Sequence, residues 1–191
     1  MADDSAQIRR ARHGDLGGIV ALFADDEASS FADQPAATSA AAASSAPGAA
    51  GLQAAAPPPD IPPPYTPPPS EHGRLGPGQV DALAAIDGDP NNQVYVAERE
   101  GKVVGTFQLT FIRQLSYGGC LVAQVESVHV HSSQRSHGIG RLMMEFAIVE
   151  ARRRGALRIQ LTSNVRRTRA HEFYERLGFR ASHKGMKLYL R

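Results

Sequence analysis

The sequence predicts an α/β (α+β) fold: a mixed, mostly antiparallel central sheet flanked by helices. Segments of period 2 and period 3.6 alternate in the order β, α, α, β, β, β, α, β, α, β. Three strands close enough in sequence to be hairpin-linked, followed by β-α-β, give a mixed sheet with helices on its faces. The composition is also divided. Twelve of the 13 prolines fall between Pro35 and Pro77. Setting that stretch aside leaves roughly 145 residues, an ordinary size for one compact domain.

Residues Gln7–Arg12 alternate weakly and read as a short strand. A helix opens at Gly14-Asp15, with Asp15 as the expected N-cap and Leu16, Ile19, Val20 and Phe23 at helical spacing. The helix is expected to fade near Asp25-Asp26-Glu27, where acids oppose the dipole of a helix C-terminus. Those carboxylates either end the helix in solvent or meet a cation.

From Ala28 to Gly76, Ala, Ser, Pro and Gly dominate, with P-P-P-D-I-P-P-P-Y-T-P-P-P at the centre. Proline triplets fix φ and remove donors, so this centre favours polyproline II. A stretch so poor in large apolar side chains cannot offset its ordering entropy. Residues 28–76 therefore read as a flexible Ala/Pro-rich insertion between the first two helices of a single domain spanning 1–191. Docking of a Pro-binding, SH3-like domain is the alternative to a passive extension.

Gln79–Ile86 reads as a short helix with Val80, Leu83 and Ile86 on one side. Gln93–Glu98 and Lys102–Ile112 are expected strands joined by a tight turn at Glu100-Gly101. Leu121–His131 is the third strand. A polar loop, Ser132–Gly138, leads into a strong helix ending at Arg154. Ala156–Thr162 is a strand, Arg167–Leu177 a helix stopped by Gly178, and His183–Leu190 a closing strand.

Charge follows the same division. Residues 1–77 carry four Arg against nine acids, and residues 78–191 carry 17 Arg/Lys against ten, so −5 is followed by +7. The basic part suits an anionic ligand or a solvated basic face. The single cysteine, Cys120, rules out an internal disulfide and a Cys-based zinc site. No run approaches the 18 or so apolar residues of a membrane span. The acidic, polar start M-A-D-D-S-A-Q does not resemble a secretory signal, and a cytoplasmic setting is expected.

The most informative segment is V-E-S-V-H-V-H-S-S-Q-R-S-H-G-I-G-R-L-M-M-E-F, from Val125 to Phe146. A strand feeds a loop carrying Arg135, Gly138 and Gly140, and an amphipathic helix follows at once. Glycines let the backbone turn tightly, and the N–H groups and dipole of the helix start favour an anion. A Walker loop requires Gly-Lys-Ser/Thr, but Gly140 precedes Arg141-Leu142. A Rossmann fingerprint requires a third glycine, which is absent. His129 and His131 form an H-x-H pair without evident third and fourth ligands, so no metal is expected.

Q-R-S-H-G-I-G-R-L-M resembles the Q/R-x-x-G-x-G/A acetyl-CoA loop of the Gcn5-related N-acetyltransferases, the GNAT superfamily. A-H-E-F-Y-E-R-L-G-F resembles that family's late helix and penultimate strand. L-T-S-N-V-R-R-T-R-A-H-E-F-Y is similar to the aminoalkylphosphonate acetyltransferase branch. The resemblance covers the chain outside the insertion and is most specific from Val125 to Phe179.

The resemblance implies a splayed strand pair that binds CoA. Main-chain groups near Val128, His129 and Val130 would pair with the pantetheine arm, much as an added strand would. The amides of Arg135, Ser136, His137, Gly138, Ile139, Gly140 and Arg141 would hold the pyrophosphate, and Asn164 would bond the pantetheine or adenylate part. Glu126 stands where the family keeps a general base, and Tyr174 matches its general acid. Each also has a bland reading, Glu126 as a paired strand carboxylate and Tyr174 as a packing residue. Arg152–Arg154 and Arg166–Arg169 offer contacts to the 3′-phosphate of CoA, or solvated helix ends. His137 and His171 flank the site in sequence.

The implied activity is acetyl transfer from acetyl-CoA to a primary amine of a small molecule, by direct attack. Protein or peptide N-acetylation and a non-catalytic acyl-CoA-binding module are the alternatives. The expected partners are acetyl-CoA and the amine, with no nucleic acid and no membrane. A homodimer is left open.

Overall fold

The computed structural model of the chain describes residues 5–32 and 74–187. The first strand is β1 (Gln7–Arg10), followed by a 3-10 turn at His13–Asp15 and helix α1 (Leu16–Ala32). Helix α2 (Pro77–Asp87) leads to strands β2 (Asn92–Arg99) and β3 (Lys102–Arg113). The one-turn helix α3 (Ser116–Gly119) joins β3 to β4 (Leu121–Val130). Helix α4 (Ile139–Arg153), strand β5 (Arg158–Leu161) and helix α5 (Thr168–Arg176) follow.

The five strands lie in the order β1-β2-β3-β4-β5. Neighbours are antiparallel from β1 to β4, and β4 pairs with β5 in parallel. This is the mixed, mostly antiparallel sheet that the sequence order predicts. The β2–β3 turn has φ of 52° at Glu100 and 72° at Gly101, two left-handed residues in a row as a tight hairpin demands.

Alternation sorts the strand side chains onto two faces. Tyr95, Ala97, Phe107, Leu109, Phe111, Ala123 and Val125 face α4, which buries Ile139, Met143, Met144, Ala147 and Ala151 against them. At the centre Tyr95 stacks on Phe107 at 5.1 Å between ring centroids, and Phe146 of α4 meets both rings at 5.0 and 6.3 Å. Gly105 allows Met143 in close. A Cβ there would stand 2.7 Å from the Met143 sulfur and 3.2 Å from the His129 carbonyl oxygen. On the other face α1 packs Ile19 and Phe23 over Val96 and Ala11.

Charges tie the first segment to the sheet. The Arg9 guanidinium makes two bonds to Asp15, of 2.7 and 2.8 Å, and also binds Glu98 of β2. Asp15 accepts from the Arg12 amide at 2.7 Å, so it sits inside the first turn and is not the N-cap. The bond from Arg9 outweighs partial burial and holds the Asp15 carboxyl below its usual range. A lowered folded value means that this stabilisation is whole at neutral pH and is lost as pH falls through that value.

Three further expectations are corrected. Helix α1 does not fade at Asp25–Glu27 but continues to Ala32, four residues beyond the expected start of the insertion. The remainder of that insertion, residues 33–73, lies outside the described residues. The closing strand is absent from 183–187, and residues 188–191 lie outside the description. A strand needs a paired edge, and here Gly185 passes Thr162 just beyond the end of β5, with Met186 exposed. The β5 strand is also shorter than Ala156–Thr162, because its pairing with β4 stops at Leu161. Among the described residues no helix is long and apolar enough to cross a membrane.

Phe107 is fully buried at the meeting point of the aromatic cluster. Phe107→Ala should destabilise the domain by about 3–5 kcal/mol, the scale for emptying a large core side chain. Chemical denaturation followed by circular dichroism measures it.

Candidate active site

The site begins with a mismatch of one residue between β3 and β4. Thr106 pairs with His129 and Gln108 with Glu126, so Ser127 and Val128 together oppose Phe107. With Phe107 locked in the core, the extra residue has to be taken up by β4 as a bulge. Ser127 does so with a left-handed φ of 51°. Beside this bulge the β4–β5 ladder runs from Val122–Arg158 to Val125–Leu161 and ends. Past that point β4 and residues 162–164 separate. A cleft of about 130 Å³ opens between them, roofed by Arg167, Ala170 and Tyr174. Backbone groups that a continuing ladder would pair are thus presented to the cleft, as an added extended ligand requires.

Glu126, Val128 and His129 lie on the strand wall of the cleft, and Asn164 and Tyr174 on the opposite side. The exposed Glu126 Oε1 accepts from Gln124 Nε2 at 2.7 Å. Gln124 Oε1 accepts from Gln160 Nε2 at 2.8 Å, and Gln160 Oε1 from Arg158 Nε at 2.9 Å. These four side chains alternate along β4 and β5 on one face, so a chain of donors directed from a cation orients the carboxylate. Sequence reasoning missed Gln124 and Gln160. Their polar alternation is visible in the sequence, but their register across two strands is not.

Tyr174 is half-buried, with its ring 5.1 Å from Phe173 and 5.8 Å from Phe179. Its setting comes from the helix terminus. The Phe179 amide donates to the Tyr174 carbonyl at 3.1 Å and the Gly178 amide to Glu175 at 2.9 Å, with Gly178 at φ 92°. This is a Schellman ending, which brings the residue after the glycine against the residue five before it. Y-E-R-L-G-F carries that geometry in its sequence.

Asn164 shapes the loop before α5. Its Oδ1 accepts from the Arg166 amide at 3.0 Å, and its carbonyl accepts from the Arg167 amide and from His171 Nε2. A ligand would therefore be offered its side-chain amide nitrogen. His171 and His137 each turn a ring N–H to a carbonyl, that of Asn164 and that of Arg135, both at 2.9 Å. A carbonyl only accepts, so those nitrogens carry protons.

The loop expected to hold an anion lies at the end of β4. Gly138 caps α4 with φ 83°, and Ser136 also has a positive φ, 66°. The first bond of the helix runs from the Leu142 amide to the Gly138 carbonyl, leaving the amides of Ile139, Gly140 and Arg141 ahead of it. A Cβ on Gly138 would meet nothing within 4 Å, so backbone conformation requires glycine there. Arg135 Nε donates to the Val130 carbonyl at 3.1 Å, and the exposed Arg141 head pairs with Glu145 at 2.7 Å. Asp25 of α1 reaches the start of the loop, accepting from the Ser132 amide at 2.6 Å and its hydroxyl at 2.7 Å.

The structure does not bring Arg152–Arg154 to this place. They end α4, whose 15 residues span about 22 Å from the anion loop. Arg154 stacks on Phe111 at 4.0 Å and binds Pro90 and Asn91, while Arg153 pairs with Glu150. Arg167 does reach the cleft. Val130 and Gly140 meet behind the loop, where a Cβ on Gly140 would stand 3.8 Å from Val130 and 3.5 Å from Phe173. Phe23 packs edge-on against His129 at 4.8 Å. Among the described residues no group of three or more His, Cys, Asp or Glu converges as a metal site would.

Residues 60–179 match the model of the acetyltransferase (GNAT) family. An aminoalkylphosphonate N-acetyltransferase of Salmonella typhimurium is 34% identical over 103 residues, 54% of this chain and 66% of the relative. A glucosamine 6-phosphate N-acetyltransferase of Trypanosoma brucei brucei is 31% identical over 96 residues, 50% of this chain and 63% of the relative. The chain thus spans about two thirds of the length of these curated relatives. Among solved structures, a transcriptional regulator from Bacillus halodurans C-125 superposes with a TM-score of 0.72 at 32% identity, covering 97% of this chain and all of the other.

Ser127→Val would put a β-branched residue in the left-handed region that the bulge needs. It should lower stability by about 1–2 kcal/mol, measured by urea denaturation. Ser127→Gly, which adopts that conformation readily, should retain the cleft.

Proposed function

The chain belongs to the acetyltransferase (GNAT) family, and from that premise we propose that it moves an acetyl group from acetyl-CoA to a primary amine of a small molecule. The observation that carries this reading is the cleft where β4 leaves β5, with Glu126 on its strand wall and Tyr174 opposite. The pantetheine arm would lie along Val128–Val130 as an extra strand, with its amide end beside Asn164. Its pyrophosphate would meet the loop amides from Arg135 to Arg141 at the positive end of α4.

The amine has to reach the thioester neutral. Glu126, directly or through a water, takes its proton as the C–N bond forms. The tetrahedral adduct then breaks its C–S bond, and the Tyr174 hydroxyl protonates the departing thiolate. The Gln160–Gln124 chain engages Oε1 of Glu126 and leaves Oε2 to take that proton. Both named curated relatives are N-acetyltransferases of small amines that bear a phosphorus oxyanion. We extend this to the acceptor: an amine carrying a phosphonate or phosphate group is the class to offer first. The same reading keeps one catalytic domain interrupted by the Ala/Pro-rich stretch.

Thiol release from acetyl-CoA tests the reading, with aminoalkylphosphonates, glucosamine 6-phosphate, polyamines, aminoglycosides, amino acids and histone-tail peptides as acceptors. Turnover with a phosphorus-bearing small amine is the expected result. Turnover only with peptides would replace the acceptor class, and CoA binding without transfer to any amine would leave a binding module.

Tyr174→Phe keeps the ring packed and removes the hydroxyl. Turnover should fall by about 10²–10³ with the KM for acetyl-CoA little changed, because the lost interaction belongs to the transition state. Glu126→Gln should lower turnover by about 10². Steady-state kinetics at saturating acceptor separates the two parameters.

A further inference from the structure

The acids at Asp25–Glu27 looked misplaced at a helix end, but α1 continues to Ala32, so the dipole of a terminus does not act on Asp25. Its carboxylate is instead directed at a loop 107 residues away in sequence. One oxygen accepts from the Ser132 amide and the other from the Ser132 hydroxyl, at 2.6 and 2.7 Å. Arg135 Nη2 stands 3.8 Å from the same carboxylate. Burial raises the carboxyl, and the two Ser132 bonds, with His131 and Arg135 nearby, more than offset it, so the balance lies below the usual range. The group is charged at neutral pH.

Ser132 is where the anion loop leaves β4. It opens the turn Ser132–Gln134, and its carbonyl accepts from the Arg135 amide at 3.3 Å. Arg135 in turn holds the Val130 carbonyl at 3.1 Å. Fixing Ser132 therefore fixes the chain from the last residue of β4 to the first residue of the cradle. We infer that Asp25 is a positioning residue for the anion-binding loop: α1 latches Ser132, and the latch sets the geometry in which the loop amides receive the pyrophosphate of acetyl-CoA. This rests on the acetyltransferase reading above. Asp25 itself does not touch the ligand, since a carboxylate would repel it. Its two oxygens occupy donors of Ser132 and leave the amides nearer α4 to the anion.

The Ser132 amide can only donate and needs an acceptor, whereas the Ser132 hydroxyl can donate or accept. Asparagine at position 25 would keep both contacts by turning its NH₂ group to the hydroxyl, and alanine removes both.

Calorimetric titration of the full-length protein with CoA tests the latch, using Asp25→Ala, Ser132→Ala and the double variant. Asp25→Ala should weaken CoA binding about tenfold and Ser132→Ala, which keeps the amide bond, about threefold. Combined, they should weaken it by less than the product, because they remove one contact. In steady-state assays the KM for acetyl-CoA should rise with the same factor while kcat changes less than threefold. Asp15→Asn loosens α1 at its other end and is the structural control. It should lower the melting temperature and leave CoA affinity within twofold. CoA affinity unchanged in Asp25→Ala would overturn the inference, as would an equal loss in Asp15→Asn or a loss confined to kcat. Absence of CoA binding by the wild-type protein would instead overturn the acetyltransferase reading, and the latch with it.

Discussion

The β4–β5 ladder ends at Val125 and Leu161 because β4 carries one residue more than β3 can match. Parallel strands held together along their whole length would bury their backbone groups in mutual bonds. Here the extra residue bends one strand away, and groups of the sheet interior are presented to a cleft. Hydrogen-bonding capacity that folding normally consumes within a sheet is left facing the cleft. Glu126 precedes the bulge, Val128 and His129 follow it, and Asn164 and Tyr174 face them from the other side. The candidate site is thus a planned interruption of the sheet.

That interruption is stable because the residue opposite it cannot yield. Phe107 is clamped by Tyr95 and Phe146, and α4 closes over the same face with methionines and alanines. With β3 pinned, the surplus length has to appear in β4. The other face is more polar near β4 and β5, which is what allows Gln124 and Gln160 to line up beneath Glu126. One face supplies rigidity and the other supplies orientation. The two are separated by the simple alternation of a strand.

Helix ends place the remaining groups. A left-handed Gly138 starts α4 so that its first amides point outward, and a left-handed Gly178 ends α5 so that Phe179 folds against Tyr174. Asp25 bridges from α1 to the loop between β4 and α4. Each device is local in geometry, but together they bring three separate stretches of chain to one end of the sheet.

Much of this was legible in the sequence. Period 2 and period 3.6 located the sheet strands and helices to within a few residues, because alternation and helical stripes are set by backbone geometry alone. Gly138 before I-G-R-L, and Gly178 after Y-E-R-L, marked the two helix ends because few residues besides glycine tolerate their left-handed dihedrals. What stayed illegible depends on partners distant in the chain. Asp15 looked like a cap until Arg9 and the Arg12 amide claimed its oxygens. Asp25 looked like an exposed end until Ser132 came over it. The strand expected at His183–Leu190 needed an edge that residues 183–187 do not have. The bulge at Ser127 is invisible in one strand, since it is a count of residues against another strand. Sequence determines what each segment prefers by itself. Register, and the ion pairs and hydrogen bonds that register brings together, exist only once the segments have packed.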